Sequence, residues 1–251
     1  MNSNPTSKTF LLLADISGYT HFMRESPVAS SHARQIIVRL LKSLMSASAP
    51  PLTVAELEGD AIFFYATTSD DDLGVIAAQV KEQMLNLFTS FYAEARKLTR
   101  MKACECDACS NVGSLRLKQV LHIGEVAIER INKFDKLFGV GVILVHKLLK
   151  NSFPSDEYVL MTEQVYSVMT EFHGLTPRIL QQRVEQFGAV KAVVFYPMHL
   201  LERLSNNHDS EPTTRARLLW RLRMKWNTVL DLSGFRTSNP QPHPLVLWKR
   251  S

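Results

Sequence analysis

Two hydrophobic periods alternate along the chain, and the switches between them mark its elements. Residues 9–15, TFLLLAD, form a nearly continuous apolar run that stops at Gly18, which predicts a buried strand closed by a turn. Between 28 and 48 the apolar positions Ile36, Ile37, Leu40, Leu41, Leu44 and Met45 recur at helical spacing. Two short strands follow at 52–57 and 61–66, joined tightly at Glu58-Gly59-Asp60. A long helix is expected over 72–100, with Asp70, Asp71 and Asp72 at its start and Val75, Ile76, Val80, Met84, Leu87, Phe88 and Phe91 on its apolar side.

Farther on, LRLKQVLHIGEVAIERI predicts a hairpin turning near Ile123-Gly124, and 141–151 a short helix ending in Lys147 and Lys150. EYVLMT is a strand, 163–169 a helix, and LQQRVEQFGAVKAVVFYP a last hairpin around Gly188. Strands interleaved with helices in this order predict a mixed α/β or α+β sandwich of helices on a sheet. One domain over 9–200 is expected, then a polar linker at 205–214 and a helical tail reaching 251. In that tail Leu218, Leu222, Trp226 and Val229 make an apolar stripe beside Arg217, Arg221 and Lys225. Such a helix packs on its own domain or a twin subunit, or meets an anionic membrane or a nucleic acid.

Composition places this fold among soluble globular proteins, with 45% hydrophobic and 21% charged residues. No apolar run approaches the ~18 residues that span a bilayer, and Asp15 interrupts the N-terminal one. A cytoplasmic protein is expected. The formal charge of +5 resides in residues 205–251, where eight Lys and Arg face three Asp and Glu. The first 204 residues hold 21 of each sign, so the net charge belongs to the tail and says little about the main domain.

The chemistry lies in two clusters. Asp15 and Asp60 each end an apolar strand beside glycine, and neighbouring strands would bring both carboxylates to one place. There they repel unless a divalent ion bridges them or one takes a proton; singly, each is also an ordinary turn cap. The turn at Gly18, Tyr19 and Thr20 presents backbone N–H groups to a phosphate chain. Cys104, Cys106 and Cys109 give C-x-C-x-x-C, which with Asp107 or His122 would close a structural Zn²⁺ site. Plain reduced thiols or a redox role stay open for these cysteines. His21, His32 and His173 are expected at the surface or half-buried.

FLLLADISGYTHF and ELEGDAIFF resemble the two metal-aspartate segments of class III adenylate and guanylate cyclases. LKQVLHIGEV, FGVGVILVHKLLKNS and YVLMTEQVYSVM through FGAVKAVVFY are similar to later parts of that domain, so the likeness covers residues 9–197. Within the superfamily the chain is similar to a divergent bacterial subgroup of unknown function. The resemblance implies an α+β, ferredoxin-like palm with helices on a mixed, mainly antiparallel sheet, paired head to tail as a homodimer. It implies Mg²⁺ or Mn²⁺ on Asp15, Asp60 and the Ile16 carbonyl, a nucleoside triphosphate substrate, and cyclisation with release of pyrophosphate. Glu56 takes the base-reading place, with Asp135 or Lys136 as its partner. The usual ribose-orienting Asn becomes Ile143 and the transition-state Arg becomes Lys147, with His146 and Lys150 as substitutes. Those departures imply a second reading, a catalytically inactive module that senses a nucleotide or mediates association.

Overall fold

The computed structural model describes residues 6–23, 27–132, 134–150, 153, 155–197 and 213–233. Its frame is a sheet of eight strands. β1 (Ser7–Ser17) lies between β3 (Ala61–Thr67) and β4 (Arg116–Ile131), and β2 (Thr53–Glu58) pairs with β3 at one edge. On the other side of β4 come β6 (Tyr158–Thr162), β8 (Gly188–Phe195) and β7 (Arg178–Val184), while β5 (Phe134–Phe138) pairs with the distal half of β4. The β4–β6 pairing is parallel and every other pairing is antiparallel. The α+β architecture expected from the sequence is therefore the one found.

β1 is buried on both faces because apolar residues occupy both of its parities. Phe10, Leu12, Ala14 and Ile16 face one core, and Leu11 and Leu13 the other. The first core is covered by α2 (Pro27–Ala47), α3 (Leu73–Arg100) and α6 (Glu163–Met169). The second lies under α5 (Val140–Leu149), whose Leu144, Val145 and Leu148 reach the sheet. Fully burying a Leu or Phe side chain is worth roughly 1.5–3 kcal/mol, so this central strand can carry a poorly solvated acid at its end.

Two expectations need correction. No turn breaks β4 at Ile123-Gly124; the strand runs unbroken for 16 residues. Gly124 serves close packing: a Cβ there would sit 3.2 Å from His122 Nε2 and 3.7 Å from Gly141 Cα, where α5 crosses the sheet. The hairpin lies beyond it, between β4 and β5, with Asn132 at φ 53°. The tail helix α7 (Thr214–Leu232) also docks by a different face from the apolar stripe. Trp220, Met224 and Thr228 are buried, while Leu218, Leu222, Trp226 and Val229 face solvent. The receiving face of α2 is polar, which explains the choice. Asn227 donates to Gln35 at 2.9 Å, Ser31 donates to Asp231 at 2.6 Å, Arg34 pairs with Asp231, and the Arg39 guanidinium stacks on Trp220.

The tail thus packs on its own chain through α2. The linker expected at 205–214 lies outside the described residues except for its last two. No helix among the described residues is long and apolar enough to cross a membrane.

Candidate functional site

Antiparallel pairing fixes the position of the first acid. Asp15 stands opposite Ala61 on β3 and opposite Lys118 on β4, on the α5 side of the sheet. Asp60 occupies the two-residue turn that joins β2 to β3, and its carbonyl accepts the Ile16 N–H at 3.2 Å. The two aspartates are therefore locked beside each other by backbone bonding. Burial pushes the Asp15 carboxyl up to about 6; the neighbouring Asp60 adds to the shift and Lys118 offsets part of it. Burial raises Asp60 as well, against its own backbone hydrogen bond and Lys118.

Ser17, two residues on and hence on Asp15's face, is buried, and its hydroxyl has no hydrogen-bond partner. An under-compensated acid pair with a spare hydroxyl and nearby carbonyls is an all-oxygen donor set. It fits a hard divalent cation such as Mg²⁺ or Mn²⁺. Gly18 takes φ 89° to open α1 (Tyr19–Phe22), a single turn in which Phe22 N–H donates to Gly18 O at 2.9 Å. One turn lacks the dipole of a long helix, so what Gly18, Tyr19 and Thr20 offer a phosphate is individual hydrogen-bond donors rather than a helix field.

On the same side of the sheet, β2, β5 and α5 enclose a cleft of about 190 Å³ lined by Glu56, Glu58, Phe63, Asp135, Lys136 and His146, among others. A register shift between Val54 and Glu56 sets its chemistry. With strict alternation Glu56 would share a face with Val54 and point into the α2–α3 core. The bulge turns Glu56 opposite Phe63 instead, so that Glu56 and Glu58 both face the cleft. Glu56 pairs with Lys136 at 2.7 Å, and Asp135 pairs with Arg130 at 2.6 Å. His146 bonds both Glu58 oxygens through Nε2 at 2.9 Å and donates from Nδ1 to the Val142 carbonyl at 2.7 Å. With both nitrogens donating, the ring is held toward imidazolium. Glu58 is the main cause of that upward shift, and His146 in turn draws Glu58 below its usual range.

α5 thus shows Val142 and His146 to the cleft rather than Ile143 and Lys147. Ile143 is 51% exposed, and Lys147 reaches Glu185 at 3.1 Å, away from Glu56. Lys150 caps the C-terminal end of α5. Helical rotation accounts for this: residues 142 and 146 share a row four apart, with 143 and 147 turned about 100° from them.

The cysteines form the other cluster. α4 (Asp107–Ser110) carries Cys109, while Cys104 and Cys106 precede it. The histidine that joins them is not His122. That ring lies under α5, with Nδ1 3.1 Å from Thr162 Oγ1, and burial lowers its pKa to about 4. His32 takes the place instead. It is buried, not half-exposed as expected, and its Nδ1 lies 3.3, 3.4 and 3.5 Å from the sulfurs of Cys104, Cys106 and Cys109. His32 extends the Ile36, Leu40, Leu44 row of α2 one turn toward the N-terminus, and that inward-facing position was the available signal.

Residues 37–158 match the model of a family described as "Protein of unknown function (DUF2652)". The uncharacterized protein Rv2561/Rv2562 of Mycobacterium tuberculosis is 35% identical over 205 residues, which are 80% of this chain and 90% of that protein. The chain belongs to this family.

Solved structures of similar shape are nucleotide cyclases of low sequence identity. The adenylyl cyclase CyaB from P. aeruginosa superposes with a TM-score of 0.58 at 13% identity, covering 83% of this chain and 98% of CyaB. A bacterial light-regulated adenylyl cyclase gives 0.55 at 15% identity, over 80% of this chain and 97% of its own. The guanylate cyclase domain of RhGC from Catenaria anguillulae, solved in complex with GTP, gives 0.51 at 12%, over 75% and 96%. At these identities the likeness shows the fold, which is that of class III nucleotide cyclase domains. The matched span 37–158 includes Asp60, the cleft residues and the three cysteines, but not Asp15 or His32.

Proposed function

We propose that this protein binds a nucleoside triphosphate with divalent cations on the α5 side of its sheet, at the interface of a homodimer, as a cyclase-like enzyme. The observation that carries the reading is the Asp15–Asp60 pair: two half-buried acids that the fold forces together and that Lys118 only partly neutralises. A site that bound nothing would gain from losing one of them. Asp15 and Asp60 hold the cations, with the Ile16 carbonyl and the Ser17 hydroxyl at hand. Bound there, the cations would neutralise phosphate charge and acidify the ribose 3′-hydroxyl that attacks the α-phosphorus and displaces pyrophosphate.

The chain's own residues do the rest. Glu56, turned into the cleft by the bulge, and Lys136 or Asp135 face the edge of the base. His146, whose protonated form Glu58 favours, brings a cationic group to the cleft lining, which Lys147 does not reach. Lys147 and Lys150 stand at the C-terminal end of α5 as further cations for the phosphates.

A second reading, binding without turnover, is favoured by one observation. Val142 and Ile143 occupy the part of α5 where a ribose-orienting amide is needed, and neither can hydrogen-bond through its side chain. The experiment is product analysis by mass spectrometry with Mn²⁺ and each of ATP, GTP, CTP and UTP, beside Asp60→Ala. A cyclic nucleotide that disappears in the variant supports the enzyme. No product, but thermal stabilisation by a nucleotide with Mn²⁺ that Asp60→Ala abolishes, supports the binding module. Absence of both overturns the nucleotide reading.

A further inference from the structure

We propose that His32, Cys104, Cys106 and Cys109 form a closed structural zinc site that staples α2 to the loop between α3 and β4. This site is separate from the acid pair and does not rest on the function proposed for it. Its geometry is the first argument. With Zn–S near ~2.3 Å and Zn–N near ~2.0–2.1 Å, a tetrahedron has S···S edges of about 3.8 Å and N···S edges of about 3.5 Å. The Cys104 and Cys109 sulfurs are 3.9 Å apart, and the three N···S distances run from 3.3 to 3.5 Å. All four ligand atoms lie within 4.8 Å of one another.

Hydrogen bonding does not account for that arrangement. Imidazole Nδ1 carries one lone pair or one proton and is satisfied by one partner along its axis. Here three sulfurs are nearly equidistant from it, as they would be around an ion that the nitrogen faces. The Cys106 N–H also donates to the Cys104 sulfur at 3.4 Å, which fixes the position of that sulfur beside His32. Three sulfurs and one imidazole also select zinc over the hard cations suited to Asp15 and Asp60. Four protein ligands leave no open position, so the site is structural and not catalytic.

The staple holds more than its own loop. Ser31, next to His32, bonds Asp231 of α7, and Arg221 of α7 donates to the Lys102 carbonyl at 3.2 Å. α7 therefore bridges both halves of the clamp. Downstream of the cysteines, the Leu115 side chain lies 3.6 Å from where a Gly18 Cβ would be, so the clamped loop also abuts the turn after Asp15.

The test uses the full chain purified from zinc-supplemented cells under reducing conditions. Metal analysis is expected to find about one zinc per chain, lost in His32→Ala and Cys109→Ser but kept in His122→Ala and Asp60→Ala. If the ligand variants do not fold, the wild-type protein decides alone. Exchange with Co²⁺ should give thiolate-to-metal charge transfer and the strong visible bands of a tetrahedral centre, and a chelator should lower Tm and open residues 102–110 to protease. Zinc retained by His32→Ala but lost from His122→Ala would overturn the ligand assignment. Absence of both bound metal and a cobalt–thiolate spectrum would overturn the site.

Discussion

Glu58 and His146 show how a pair of side chains can store a charge in a cleft. Each favours the other's ionised form, with His146 raised and Glu58 lowered. The sign of the linkage follows. His146 gains its bond on folding, so its contribution is complete below the ordinary histidine value of 6.5 and fades as pH rises through the raised one. Glu58 contributes above its ordinary 4.5 and fades as pH falls through the lowered value. The pair therefore adds most stability between pH 4.5 and 6.5, by about 0.5–1 kcal/mol, since both groups are partly solvated. Glu58→Gln should erase that maximum in unfolding free energies measured across pH. By NMR it should move the His146 titration midpoint down toward 6.5. An unmoved midpoint would mean that Glu58 does not set the charge in the cleft.

Legibility differed between residues for a physical reason. Asp15 and Asp60 could be read because strand ends and glycine turns are local signals, and pairing then brought the two together. His146 facing the cleft depended on the rotation of α5, which single-residue spacing leaves uncertain by one position. His32 depended on a contact across 72 residues with Cys104. A sequence pattern reports that a C-x-C-x-x-C loop lacks a ligand, but not which distant helix supplies it.

Among the elements, long periodic helices and apolar strands were legible, and β4 was not. Glycine after a strand-like run signals a turn when only the local chain is considered. In β4 the glycine answers a constraint from another element, the N-terminal turns of α5. A Cβ on Gly141 would lie 3.0 Å from His122 Cδ2 and 3.3 Å from Leu11 Cδ1. His122 cannot yield easily, because it is buried and held by Thr162. Gly141→Ala is therefore expected to destabilise the protein by about 1–2 kcal/mol in urea unfolding, although alanine alone would favour the helix by roughly 1 kcal/mol. Combining it with His122→Ala should cost less than the sum of the two single changes, because the second removes the obstacle created by the first. Strict additivity would show that α5 is not seated on that ring.

At the scale of the whole molecule, the described residues cover the two faces of the sheet unequally. α2, α3 and α6 close one face, while the ten-residue α5 stands on the other. Beyond Val126, β4 leaves β1 and, among the described residues, pairs with β5 alone, so the two form an arm at the edge of the sheet. On this arm and the start of α5, Ile131, Phe138, Val140 and Ile143 are all about half exposed or more. Scattered apolar residues are ordinary on a surface, but these four come from one hairpin and the helix that follows it. The homodimer proposed above makes a second copy of this chain the partner to test for this patch. Ile143 is the sharpest probe, because it lies on the solvent side of α5 and its replacement leaves both cores untouched. In sedimentation velocity at micromolar concentration, wild-type protein is expected as a dimer. Ile143→Glu and Phe138→Glu are expected as folded monomers with an unchanged Tm. If the nucleotide site spans the interface, the same variants should lose the stabilisation by nucleotide and Mn²⁺ while keeping Asp15, Asp60 and the cleft intact. A wild-type chain that stays monomeric with nucleotide and Mn²⁺ present would confine the site to one protomer and remove the reason for this exposed arm to be apolar.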